Sequence, residues 1–194
     1  MAESASHEGD SSIIVSLSEA AMHMYTAAID ALPFVEDKKF HKRADVVLQG
    51  MRKLRAALSD AASSSRPSPG VIVALSNVRR RYDSLMAHAA TAPGTSLGIQ
   101  LYVTRVEAKL SAQEVANGAG LSAELLDELE AGATPTDEEA AKIRDAIAAL
   151  GGVPGIEHYE HHEPEPEPQP QPEPENVEEH VNGWDQSLVG EHAG

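Results

Sequence analysis

The sequence predicts an all-α protein, and three observations carry that expectation. Apolar residues recur every three or four positions from about residue 13 to residue 150. Each periodic stretch is bounded by a Ser or Thr cap, a Gly or a Pro. Aromatic residues make up only 4% of the chain, so Ala, Leu, Val, Ile and Met must build the core, a composition suited to close helix packing.

Residues 1–12 are small and polar with no apolar period, and are expected to be disordered. The first helix is expected from Ser16 to Leu32, with Leu17, Ala21, Met24, Ala28 and Leu32 on its apolar side. Ser16 and Glu19 have capping-box spacing, and Pro33 stops the helix. Between Asp37 and Ala62, Phe40, Ala44, Val47, Met51, Leu54, Leu58 and Ala61 alternate spacings of four and three, a heptad seam. A loop rich in Ser and Pro, residues 63–70, separates it from a second seam of Val71, Leu75, Val78, Tyr82, Leu85 and Ala89. The eight-residue connection favours an antiparallel pair, so residues 13–92 are expected to form a helical bundle whose seams serve either an intramolecular hairpin or a dimerisation module, with a homodimer as the expected state. Ala92-Pro93-Gly94-Thr95 marks the expected domain boundary.

Beyond it, Ser111 and Glu114 form a capping box that opens a short helix ending near Asn117. Gly118-Ala119-Gly120 supplies a tight turn, Leu121 a buried plug and Ser122 the cap of a next helix, in which Leu125, Leu126 and Leu129 face inward before Gly132. Thr136 and Glu139 form a further capping box, opening a closing helix through Ile143 and Ile147 to Leu150.

Two short helices joined by a Gly-containing turn are the outline of a helix-turn-helix. Leu110-Ser111, Glu114-Val115-Ala116, Ala119-Gly120-Leu121-Ser122 and Leu129-Glu130-Ala131-Gly132, with Leu97, Leu101 and Arg105 before them, resemble the phage-repressor-type (Xre/Cro) domain. The resemblance covers about 55 of 194 residues. It implies a five-helix lambda-repressor-like domain over 96–150 that contacts double-stranded DNA, and hence a transcriptional regulator or architectural DNA-binding protein. The positions it carries over as DNA contacts are Arg105, Lys109, Ala112, Gln113, Ser122, Ala123, Glu124, Asp127 and Glu128. Here the sequence departs from the pattern. The Gln usual after the Leu-Ser pair is Ala112, and the second motif helix holds no Lys or Arg. Carboxylates there accept only from a cytosine amino group and repel the flanking phosphates. The alternative expectation is a non-enzymatic adaptor that uses an acidic helix-turn-helix and its tail to bind proteins.

Charge is unevenly spread. The net charge is −16, with +1 in residues 1–95, −6 in 96–150 and −11 in 151–194. Lys38, Lys39, Lys42, Arg43, Arg52, Lys53, Arg55, Arg79, Arg80 and Arg81 lie mostly off the seams, as a solvated face or as a surface for phosphates or an acidic partner, the phosphate patch being Lys38, Lys39, Lys42, Arg43, Arg79, Arg80 and Arg81. Residues 151–194 are expected to be a disordered acidic tail: Glu-Pro repeats stiffen and self-repel, and His158, His161 and His162 have no scaffold on which to hold a metal. Trp184, the one Trp of the chain, lies there with Leu188 and Val189 as a short partner motif.

No phosphate loop, nucleophile elbow, zinc helix or thiol is present, so neither catalysis nor a cofactor nor a metal is expected. Asp127 and Glu130, the nearest approach to paired carboxylates, read as a solvated helix face. With no apolar run of 18 residues and a polar, acidic start, a cytoplasmic place is expected, at the nucleoid if DNA is bound.

Overall fold

Seven α-helices and no strands are found among the described residues, 2–63 and 68–153 of a computed structural model. They are α1 Ala2–Asp30, α2 Phe40–Ala62, α3 Pro69–Ala90, α4 Leu97–Glu107, α5 Ala112–Ala119, α6 Ala123–Glu130 and α7 Asp137–Ala149. The all-α expectation is met. The acidic tail beyond Val153, its His cluster and the Trp184, Leu188 and Val189 motif lie outside the described residues.

Helices α2 and α3 are each organised by their seams. Phe40, Ala44, Val47, Met51 and Leu58 of α2 are buried, as are Val71, Leu75, Val78, Tyr82, Leu85 and Ala89 of α3. The two seams are occupied within one chain, because α2 packs on α3 and α1 packs on both. The Phe40 ring meets His88 edge to face, which places the start of α2 beside the end of α3 and makes the pair antiparallel.

Helix α1 departs from the sequence expectation in two ways. It begins at Ala2, so residues 2–12 are helical, and it passes Ser16 and Glu19 without starting there. Packing of Ile14 and Val15 against the Leu58, Val71 and Val78 cluster fixes a helical stretch. Extending it back through Ala- and Glu-containing residues then costs little, since propagation is far easier than nucleation. The buried side is also different. Leu17 and Met24 are 65% and 71% exposed, and Ala28 is exposed. The helix instead turns Val15, Ser18, Met22, Tyr25 and Ile29 toward the bundle. Both sides of α1 are apolar, so periodicity alone does not choose between them. Gly50 of α2 decides for Tyr25: a Cβ there would lie 2.6 Å from the Tyr25 hydroxyl, so only Gly leaves the ring its place.

The expected boundary at residues 92–95 is instead a turn inside one core. Ala92 is buried, Gly94 takes φ 74°, and the His41 ring hydrogen-bonds the Pro93 carbonyl at 2.8 Å. Phe40, Met51, Tyr82 and Met86 of the bundle share a continuous apolar cluster with Leu101, Leu126, Leu129, Ile143 and Ile147. Val153 joins it as well, so the compact unit extends past the expected limit at Leu150. The segment 96–150 holds four helices, not five. Between α6 and α7 the chain has only Ala131–Thr136, with Gly132 at φ 105° and Pro135, too short and too broken for another.

Among the described residues no helix is long and apolar enough to cross a membrane.

Candidate functional site

The candidate surface is built by α5, α6 and the turn between them. Ser111 caps α5, its hydroxyl accepting from the Glu114 amide while the Glu114 carboxylate accepts from the Ser111 amide. This pairing holds the Glu114 carboxyl below its ordinary pKa, the Ser111 amide being the main cause. Helix α5 runs two residues beyond its expected end and stops at Gly120, which adopts the left-handed conformation (φ 64°, ψ 38°) that Gly takes without steric cost. The Leu121 amide then donates back to the Ala116 carbonyl, and Ser122 caps α6 by accepting from the Leu125 amide. Three residues, Gly120, Leu121 and Ser122, thus join α5 to α6, while Gly118 and Ala119 of the expected turn belong to α5.

The inner side of α6 is anchored from α4. Gly98 of α4 lies so close to the end of α6 that a Cβ would collide with the Leu129 carbonyl. Two turns further along α4, Arg105 clamps the Glu130 carboxylate with two hydrogen bonds, 2.5 and 2.7 Å long. The Arg105 guanidinium also stacks on Tyr102 at 4.8 Å, and the Tyr102 hydroxyl donates to Asp83 of α3 at 2.6 Å. Arg52 of α2 donates to the Glu130 main-chain carbonyl at 2.6 Å. Burial pushes the Glu130 carboxyl above its usual pKa, against the opposing pull of Arg105. Burial, reinforced by the bond to Asp83, drives the Tyr102 phenol far upward, so it stays protonated as a donor.

These contacts correct the sequence reading at several positions. Arg105, carried over as a DNA contact, points inward to an ion pair whose side chains are 14% and 7% exposed. Glu130 is buried and paired, and does not share a solvated face with Asp127. Ala112 and Ala123 are half-buried against the core, and the Ser122 hydroxyl is engaged as a cap. What α5 and α6 leave exposed is Gln113, bonded to Asn117, together with Glu124, Asp127 and Glu128. Lys109 is exposed just before α5 at φ 59°, a strained conformation for a residue with a Cβ.

The cationic set is elsewhere. Lys38, Lys39, Lys42 and Arg43 are exposed around the start of α2, and Arg79 and Arg80 on α3. Arg81 is half-buried, with its Nε enclosed and without a hydrogen-bond partner among the described residues. Sequence reasoning placed Arg52 on the solvated face, and no signal in the heptad pattern marks it as the link between bundle and α6. An open cleft of about 420 Å³ lies between α5 and α7, lined by Leu110, Val115, Ala119, Lys142, Ala146 and Leu150.

An all-helical unit with an acidic surface on a short helix pair is the class that fold and site define. The family model MSMEG_6518_N, an N-terminal domain, matches residues 25–96, from the second half of α1 to the cap of α4. The chain is 57% identical over 129 residues to an uncharacterized protein of Mycolicibacterium smegmatis, an alignment that covers 66% of this chain and 100% of that protein. The chain belongs to that protein's family. No solved structure matches it.

Proposed function

We propose that α4 to α7 form a phage-repressor-type helix-turn-helix unit retained as a protein-docking surface, and that the chain is a non-enzymatic adaptor for a partner with a basic segment. The observation that carries this reading is the exposed side of α6: Glu124, Asp127 and Glu128, with no cation on the helix. Duplex binding draws much of its free energy from Lys and Arg that neutralise phosphates. The arginines that reach this helix, Arg105 and Arg52, are already committed to Glu130. Three carboxylates on about one and a half turns of helix fit Lys or Arg side chains of a partner, with each exposed pair adding little and the group acting together.

The test is anisotropy of a labelled Arg- and Lys-rich peptide titrated with the full chain and with the variant Glu124→Gln/Asp127→Asn/Glu128→Gln. The expected result is weaker binding by the variant at matched salt. Equal binding by the two proteins would remove α6 from the interaction and sink the reading.

A DNA-binding regulator is the second reading, favoured by the exposed cations Lys38, Lys39, Lys42, Arg43, Arg79 and Arg80. Phosphate contacts on α2 and α3 would replace those missing from α6. It predicts that the full chain binds mixed-sequence duplex with a steep salt dependence, lost on charge reversal at Arg79 and Arg80 and kept on Gln113→Ala. Loss with Gln113→Ala would move the contact to the motif, and no binding at low salt would exclude this reading.

A further inference from the structure

Helix α1 has a second apolar row that nothing among the described residues covers. Ile13, Leu17, Ala20, Met24, Ala27 and Ala31 alternate spacings of four and three, a heptad seam of the same kind as those of α2 and α3. All six are exposed, Ile13, Leu17 and Met24 at 59%, 65% and 71%. The opposite row, Val15, Met22 and Ile29, is the one that packs on the bundle. Between residues 11 and 31 the helix has only Glu19 and Asp30 as formal charges, and no Lys or Arg. A surface helix is normally apolar on one side and charged on the other; one apolar on both sides has two partners.

We propose that the outer seam of α1 is a self-association surface, on which a second copy of this chain lies antiparallel to the first. Three features select a second copy. The first is size matching along the seam. When two copies of α1 run antiparallel about a twofold axis level with Met22, Ile13 faces Ala31, Leu17 faces Ala27, and Met24 faces Ala20, each in the other copy. Every large residue then meets an alanine, which lets the helices interdigitate without voids; a parallel pair would set large on large and alanine on alanine. The second is charge. A chain of net charge −16 associates with itself only where its own carboxylates are sparse. In this register Glu19 lies level with Tyr25 of the other copy, about 9 Å along the axis from the other Glu19. The third is area. From Ile13 to Ala31 the seam is about 27 Å long, and with an accessible width of about 15–20 Å the pair buries on the order of 1,000 Å² in total. That lies at the lower end of specific interfaces, so the dimer is reversible and concentration-dependent.

Sedimentation equilibrium of the full chain over a wide concentration range tests this, with circular dichroism to verify that each variant stays folded. The expected mass rises from one chain toward two. Leu17→Glu, which sets two carboxylates in each dimer's seam, raises the dissociation constant more than about 100-fold. The side chain at position 17 is exposed, so the substitution leaves the fold intact. Orientation is read by cross-linking, because the chain has no Cys of its own. Leu17→Cys/Ala27→Cys forms a covalent dimer on oxidation, whereas Leu17→Cys alone does not, its two sulfurs lying about 15 Å apart along the axis. A monomer at every concentration, or a dimer indifferent to Leu17→Glu, overturns the surface. Cross-linking of Leu17→Cys alone overturns the antiparallel register.

Discussion

Replacing Arg105 by Ala separates a structural arginine from a DNA-contacting one. In the folded chain Arg105 makes both short bonds to the Glu130 carboxylate; of the other cations nearby, Arg52 reaches the Glu130 main-chain carbonyl and Arg55 lies over the Tyr82 ring, acting on Glu130 only through space. Truncating Arg105 leaves a carboxylate that is 7% exposed without its hydrogen-bonded cation. Breaking a buried pair in this way costs about 3–5 kcal/mol. For a chain of this size each kcal/mol moves the melting temperature by about 2–4 °C, so a fall of about 6–20 °C is expected at neutral pH. The pH dependence gives an independent check. Glu130 already has a raised folded-state pKa, and loss of Arg105 raises it further. A raised carboxyl contributes stability that is fully present below its unfolded pKa and is lost as pH rises through the folded one. The gap between variant and wild type therefore narrows as pH falls from neutral toward the ordinary Glu range. Thermal unfolding followed by circular dichroism at several pH values measures both effects, and Arg105→Met/Glu130→Leu recovers most of the loss by removing both charges. A variant within about 1 kcal/mol of wild type at pH 7, or a gap that widens in acid, would refute the reasoning. It would also return Arg105 to the surface and strengthen the DNA-binding reading.

Gly98→Ala drives a Cβ into the Leu129 carbonyl, and because that atom is backbone no rotamer change relieves it. A net loss of about 1–3 kcal/mol in urea unfolding is expected even after the gain in helix propensity, and unchanged stability would mean that α4 and α6 do not approach so closely. Ser111→Ala removes the cap of α5 at a cost of about 1 kcal/mol. Because Glu114 has a lowered pKa, the box contributes above its unfolded value and fades as pH falls through the folded one, so this cost shrinks in acid; a cost independent of pH would dissociate Glu114 from the cap. Tyr102→Phe leaves Asp83 without its donor and costs about 1 kcal/mol. Burial holds both Tyr82 and Tyr102 above the ordinary phenol range, so spectrophotometric titration should find one late-ionising phenol fewer in Tyr102→Phe than in the wild type, and no difference between the two would place Tyr102 in solvent.

Residue patterns made much of the fold legible. The seams of α2 and α3, the Ser111 and Thr136 capping boxes, the turn at Gly120 and the stop at Gly132 are local features, each fixed by a few neighbouring residues, and the structure shows them. What joins these pieces was not legible. Arg52 to Glu130 spans 78 positions and Arg105 to Glu130 spans 25, and in a sequence a surface arginine and a paired one look alike. The break at Pro93-Gly94 read as a linker for the same reason: a turn residue reports the local bend, while burial of Ala92 and Val153 depends on helices far away in the chain. The candidate site suffered most from this. Its exposed carboxylates were readable, but the loss of Arg105 to an internal pair was not.

The misreading of α1 has a different cause, and it connects the fold to association. A heptad row states that a helix face must be covered, without stating by what. In α2 and α3 the cover is another part of the chain, so of the two uses open to these seams it is the intramolecular hairpin that they serve. In α1 two rows compete for one bundle, and the row with Tyr25, Ile29 and Met22 takes it, since Gly50 opens a place for the Tyr25 ring. The Leu17 and Met24 row, expected to face the bundle, is left outside with its alanines spaced to receive its own large residues. Covering α2 and α3 from within leaves α1 as the helix on which a second copy can complete the same packing rule.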